Sequence, residues 1–215
     1  MNIHAIFARL SPHFRERRMR WFKATVNPEP SETILDVGGC SAFWLGSNLK
    51  NPLTILNVSF VGEPAQRPAN FEFVLGDGCK LPFADASFDI VFSNSAIEHV
   101  GTWERQQAFA REALRVGRRV WIQTPARGFF IEPHLLAPFI HWLPASVQRR
   151  LIRWTTLWGW IERPSAVKVD AFLAEVRLLN RTEMQELFPS CAILHERVSG
   201  LTKSFVAVRL AAKGV

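Results

Sequence analysis

Between Thr33 and Ala42 a short apolar run, Ile34-Leu35-Asp36-Val37, ends in Gly38 and Gly39 and continues through the small residues Cys40, Ser41 and Ala42. No other stretch constrains the fold as much. The pattern reads as strand, tight turn and helix. Glycine admits positive φ and lets the backbone pass close beneath a ligand, and the helix that follows turns free N–H groups toward the strand's carboxyl end. Such a turn is a nucleotide site by geometry. It departs from the G-x-G-x-x-G spacing of a pyrophosphate turn, because Cys40 and Ala42 fill the later small positions. Asp36, two residues before Gly38, favours a cationic ligand.

After the turn, residues 41–49 read as a first helix and Leu53-Thr54-Ile55-Leu56-Asn57-Val58 as a second strand, which makes one βαβ unit. In such units the end of the second strand normally supplies an acidic residue to ribose hydroxyls. Asn57 stands there instead, and an amide accepts a weaker hydrogen bond than a carboxylate by about 1 kcal/mol. A proline-marked loop over 62–70 leads to the strand Phe71-Glu72-Phe73-Val74-Leu75 and then to Gly76-Asp77-Gly78. Leu81-Pro82-Phe83, Ser87-Phe88-Asp89-Ile90-Val91-Phe92-Ser93-Asn94 and Ile97-Glu98-His99-Val100 follow.

With the glycine turn, these segments resemble in order and spacing the central motifs of the class I S-adenosylmethionine-dependent methyltransferases of small-molecule type. The resemblance covers about 34–125. It implies an α/β, Rossmann-like fold with a seven-stranded, mostly parallel sheet and helices on both faces. It also implies S-adenosyl-L-methionine as cofactor, held by Asp36, Gly38, Gly39, Asn57, Asp77, Gly78 and Asn94. Asp77 would accept from the adenine amino group, while a backbone N–H of Gly78 or Cys79 faces a ring nitrogen. Asn94, Ser95 and His99 would stand at the carboxyl end of the fourth strand, where methyl group and acceptor meet. Asp89 reads as a brace for the sheet. His99 has two readings, a general base or a hydrogen-bonded histidine at a helix start.

Thr102 can cap a helix over 103–116 that carries Glu104 in its first turn, Arg115 in its last and Gly117 just beyond. Residues 118–125 read as the fifth strand. Residues 126–170 then exceed the short connection expected there and read as a helical lid inserted between strands five and six. The chain resembles a bacterial subset of the superfamily that pairs the wording at 93–101 with a later Ile131-Glu132-Pro133-His134. His134, with Glu132 near enough to orient its ring, joins His99 as a catalytic candidate. Within the insertion Val147, Leu151, Trp154, Trp158 and Ile161 form one helical stripe, and Arg149, Arg153, Ile152 and Trp160 lie opposite. A buried lid helix is one reading. The other seats Trp142, Trp154, Trp158 and Trp160, among Arg149, Arg150, Arg153 and Arg163, in an anionic membrane interface. Thr182 and Gln185 suggest a capping box, and 191–198 and 204–210 read as two closing antiparallel strands.

The 215 residues, 48% hydrophobic, read as a single methyltransferase domain, with two N-terminal helices in 1–30 divided at Ser11-Pro12. A formal charge of +7 favours an anionic surface, whether lipid, nucleic acid or acidic substrate. Cys40, Cys79 and Cys191 lack metal-ligand or redox spacing, so neither a disulfide framework nor a metal is expected. A cytoplasmic protein results, with a peripheral place at the inner membrane face as its second reading. The expected function is in-line methyl transfer to a small or lipid-linked acceptor. An RNA methyltransferase is the runner-up, though no RNA-binding module accompanies the domain and nucleic acid is not an expected partner. A catalytically silent cofactor-fold module that binds membranes is the reading from another class.

Overall fold

The computed structural model describes residues 3–61 and 68–210, with side chains from residue 14 onward. The order is α1 (Ile3–Val26), β1 (Ile34–Val37), α2 (Ser41–Trp44), β2 (Leu53–Asn57), β3 (Phe71–Leu75) and β4 (Phe88–Asn94). A 3₁₀ turn at Ile97–His99, α3 (Trp103–Val116) and β5 (Gly117–Pro125) follow. The insertion holds β6 (Ile131–Glu132), β7 (Ala137–Pro138), α4 (Ala145–Thr155), α5 (Leu157–Glu162) and α6 (Ala166–Glu175). The chain closes with α7 (Arg181–Leu187), β8 (Ala192–Val198) and β9 (Leu201–Arg209).

Seven strands form one sheet in the order β3-β2-β1-β4-β5-β9-β8. The first five run parallel, and the terminal hairpin adds β9 and β8 antiparallel. This is the expected Rossmann-like sheet. The chain steps outward from β1 to β3 and returns to the other side of β1 as β4, so a crevice opens where β1 and β4 end. Every residue of β1 is buried, as a central strand covered on both faces requires. One face packs Leu35, Val37, Val91 and Ile122 against Phe109 of α3 and Met184 and Leu187 of α7. The other packs Ile34, Ile55, Ile90, Phe92 and Trp121 against Met19, Phe22 and Val26 of α1.

Several boundaries correct the sequence reading. One helix spans the Ser11-Pro12 position where two were expected, since a proline forfeits one backbone hydrogen bond and leaves the turns around it intact. The first helix after the glycine turn has four residues instead of reaching Leu49; Gly46 and Asn48 follow, and Asn48 is left-handed at φ 59°. The capping box before the closing hairpin is built by Asn180 and Glu183, not Thr182 and Gln185. The lid stripe is broken at Thr156, whose side chain accepts from Gly159 N and starts α5 anew. As a result Ile152 is the buried residue there, while Trp154 is 69% exposed.

Thr102 caps α3 as expected by accepting from Arg105 N. Asp89 braces the sheet, taking hydrogen bonds from Thr33 N and Thr33 Oγ1, both at 2.9 Å, so that the start of β1 is tied to β4. The insertion carries a small core of its own, Leu135, Ala137, Ile140, Ile152 and Val169, with Trp158 and Phe172 packed on it.

Candidate active site

The glycine turn is shaped by exclusion. Gly38 has φ 79°, and a Cβ there would lie 2.5 Å from the Ala96 side chain. A Cβ on Gly39 would meet an Asp36 carboxylate oxygen at 1.7 Å. Asp36 is buried beneath the turn, where Trp44 Nε1 donates to Oδ2 at 2.6 Å and Oδ1 has no partner among the described residues. Burial, only partly offset by the Trp44 hydrogen bond, pushes its carboxyl up to about 7. Asn57, at the end of β2, donates from Nδ2 to Gly39 O at 2.9 Å, and its Oδ1 accepts from Val58 N. A carboxylate could not make the first of these bonds. The departure from the acidic residue therefore has a local reason, because the amide ties strand and turn together.

At the end of β3, Asp77 accepts from Cys79 N at 2.9 Å and pairs with Arg105 at 3.0 Å. The Cys79 N–H foremost, with the Arg105 guanidinium, holds its carboxyl below the usual range. Gly78 comes close enough to Val37 and Phe109 that a Cβ would sit 2.8 Å from each. Asn94, at the end of β4, accepts from Arg18 at 3.2 Å, and Ser93 Oγ donates to Val37 O. Asp36, Gly38, Gly39, Asn57, Gly78 and the end of β4 thus form one contiguous region, with Asp77 beside it. Arg18 and Arg105 were missed as site neighbours, because each reaches the crevice from a helix with no motif around it.

Beyond the end of β4, His99 in the 3₁₀ turn and His134 after β6 meet edge to face with ring centroids 4.7 Å apart. His134 Nδ1 lies 2.7 Å from Glu132 Oε1, so the carboxylate two residues earlier does orient the ring. Burial draws the His134 pKa down, but the Glu132 hydrogen bond and charge, with Glu98 and Glu175 beyond, outweigh it and leave the value raised. His99 Nδ1 lies 3.2 Å from Glu175 Oε1 of α6. Glu98 is fully buried, accepts from Thr124 Oγ1 at 2.9 Å through Oε2, and has no partner for Oε1 among the described residues. Beside this group a cleft of about 270 Å³ opens between parts of the insertion and the segment that follows α6, lined among others by Arg127, Glu132, Gln148, Phe172 and Arg177. A second cleft of about 350 Å³ lies at the amino ends of β2 and β3 and holds none of these residues.

A family model described as a methyltransferase domain matches residues 35–119, the span from β1 to the start of β5. That match spans the same segments as the sequence motifs and supports an S-adenosylmethionine-dependent methyltransferase domain over residues 35–119. Among solved structures it is similar to the PH0226 protein of Pyrococcus horikoshii, at 15% identity and TM-score 0.61 over 94% of this chain and 93% of that one. It is also similar to the 1,6-didemethyltoxoflavin-N1-methyltransferase of Burkholderia thailandensis, solved with its namesake compound and S-adenosylhomocysteine. There the identity is 16% and the TM-score 0.53, over 90% of this chain and 76% of that one. A protein assigned to an antibiotic biosynthesis pathway of Anabaena variabilis overlaps less, with 64% of this chain covering 59% of that one at 18% identity and TM-score 0.47. No curated protein matches the chain.

Proposed function

We propose that the enzyme methylates a small or lipid-linked acceptor presented at an anionic membrane surface, and that the acceptor enters by the cleft beneath the insertion. The bound donor supplies an electrophilic methyl group. Asp36, Gly38, Gly39, Asn57, Asp77, Gly78 and Asn94 hold it in this reading. The orphaned Asp36 Oδ1 suits a positively charged group, and the close approach at Gly38 and Gly78 leaves backbone where side chains would intrude. His99 and His134 act on the acceptor side, where an acceptor hydroxyl or amine must lose a proton, and the fold's remaining task is alignment.

The observation behind the membrane surface is the outer face of the insertion. Phe139, Trp142, Trp154 and Trp160 are each more than half exposed, and Arg153 lies over the Trp154 ring at 5.7 Å. Indole and guanidinium groups together favour the headgroup layer. Arg149 is committed to Asp170 at 2.5 Å, which leaves Arg150 and Arg153 as the cations best suited to face lipid. Among the described residues no helix is long and apolar enough to cross a membrane, so any association is peripheral.

Cosedimentation with anionic and neutral vesicles at low and high salt tests the proposal. The native protein should pellet with anionic vesicles at low salt and be released by high salt, and Arg150→Glu with Arg153→Glu should abolish pelleting. Indifference of the native protein to anionic vesicles at low salt overturns the membrane surface and leaves a soluble acceptor.

A further inference from the structure

Glu98 is fully buried and leaves one oxygen, Oε1, without a partner among the described residues. A buried carboxylate of this kind is costly unless a donor or cation meets it. Two imidazoles stand in front of it. One ligand atom from each of Glu98, His99 and His134 lies within 4.8 Å of the others. The Nδ1 atoms of both rings are engaged from behind, His99 by Glu175 and His134 by Glu132. Each ring therefore turns its Nε2 free, with no hydrogen bond to it among the described residues. A carboxylate behind each histidine is the arrangement that fixes tautomer and basicity in metal-binding histidines.

We propose that Glu98, His99 and His134 bind a divalent first-row transition cation of the zinc type. The donor set of two imidazole nitrogens and one carboxylate oxygen suits such an ion better than magnesium or calcium, which prefer oxygen. The surroundings agree as well, since the side chains of Glu98, Glu132 and Glu175 crowd around the two imidazole rings. Bonds of about 2.0–2.2 Å place ligand atoms about 3–3.5 Å apart, so the widest separation in the cluster must contract by about 1–2 Å. His99 can supply that movement, because its side chain is 35% exposed and the turn that carries it is held independently through Gln106 and Arg177.

Three protein ligands leave a fourth coordination position open. An acceptor hydroxyl bound there would lose its proton to water near neutral pH, because coordination lowers the pKa of a bound oxygen. That consequence rests on the acceptor side lying here, as proposed above, whereas the cation site does not. It would make the two histidines ligands and not bases. The expectation of no metal came from cysteine spacing, and these three ligands are divided between two motifs that only the fold brings together.

The test uses tag-free, full-length protein stripped with chelator and titrated with zinc chloride by calorimetry and cobalt chloride by visible absorbance. One equivalent of each should bind, with ligand-field bands for cobalt, and His99→Ala, His134→Ala and Glu98→Gln should each weaken binding by about 100-fold. His195→Ala, whose ring bonds Thr202 away from the cluster, should bind as the native protein does. Should Glu98→Gln fail to fold, the half-exposed His99 still decides the outcome. Absence of binding up to roughly 1 mM cation, or affinity unchanged in both His99→Ala and His134→Ala, overturns the site. Donor binding measured on the same preparations keeps the readings apart, because a failure there with cation binding intact counts against the assigned donor pocket alone.

Discussion

A Cβ added at Gly39 would lie 1.7 Å from the Asp36 carboxylate, whereas one added at Gly128, early in the insertion, would meet nothing within 4 Å. The two regions face each other across the same edge of the sheet and are held by different means. The glycine turn is wedged over the central strand, with Trp44 and the end of β4 closing on it, in a core continuous with both faces of the sheet. The insertion rests on a separate cluster around Ile140, Ile152 and Val169. The glycine turn is thus fixed by the fold itself, while the insertion depends on a satellite core that can change without disturbing the sheet.

Three measurements break or sharpen that contrast. Gly39→Ala should cost more than about 4 kcal/mol in urea denaturation, and Gly128→Ala should stay within about 0.5 kcal/mol. Equal tolerance at the two positions would erase the distinction. The second concerns Asp36, whose carboxyl rises from 3.8 to about 7 on folding. The folded chain keeps a proton that the unfolded chain releases, so this contribution is fully present below pH 3.8 and is lost as pH rises through about 7. At about 1.4 kcal/mol per pH unit the whole span is worth about 4 kcal/mol, and Asp36→Asn should remove that slope from the stability profile. Parallel profiles for native and variant would show that the buried acid does not titrate there. Smallest is Ile152→Ala, which should cost the insertion about 3 kcal/mol, read as lost hydrogen-exchange protection across α4 and α6 with donor affinity unchanged. A matching loss of donor affinity would mean that the two regions are one cooperative unit.

The parts of the fold that could be read from the sequence are those where local pattern and global position agree. The apolar run before Gly38 had to be a buried central strand, and Thr102 with Gly117 bounded α3 because cap and stop residues act within one turn. Asp89 was legible as a brace because it opens a strand, although its partner Thr33 was not. The misreadings arose where two local signals competed. Thr182 and Asn180 both can cap, and Asn180 prevailed because Glu183 sits three residues beyond it. The stripe through Trp154 and Trp158 assumed one unbroken helix, which Thr156 interrupts. Among the candidate site residues, those around the glycine turn are drawn together by strand order alone. The Glu98, His99 and His134 cluster needed the path of the insertion, and Arg105 beside Asp77 needed the facing of a helix, neither of which residue spacing carries.

Arg18 of α1 donates to Glu196 of β8 at 3.1 Å as well as to Asn94, and the Glu196 carboxylate is buried and also takes a hydrogen bond from Ser204 of β9. Glu196 lies 178 positions after Arg18. During synthesis on the ribosome, α1 and the first five strands emerge long before either partner on the hairpin exists. The arginine that braces Asn94 must therefore wait for its second partner, with its helix in place or not, until the hairpin has left the tunnel. A chain stalled or cut short before the hairpin would contain the glycine turn and the strand ends around it and still lack the carboxylate that anchors Arg18 beside Asn94.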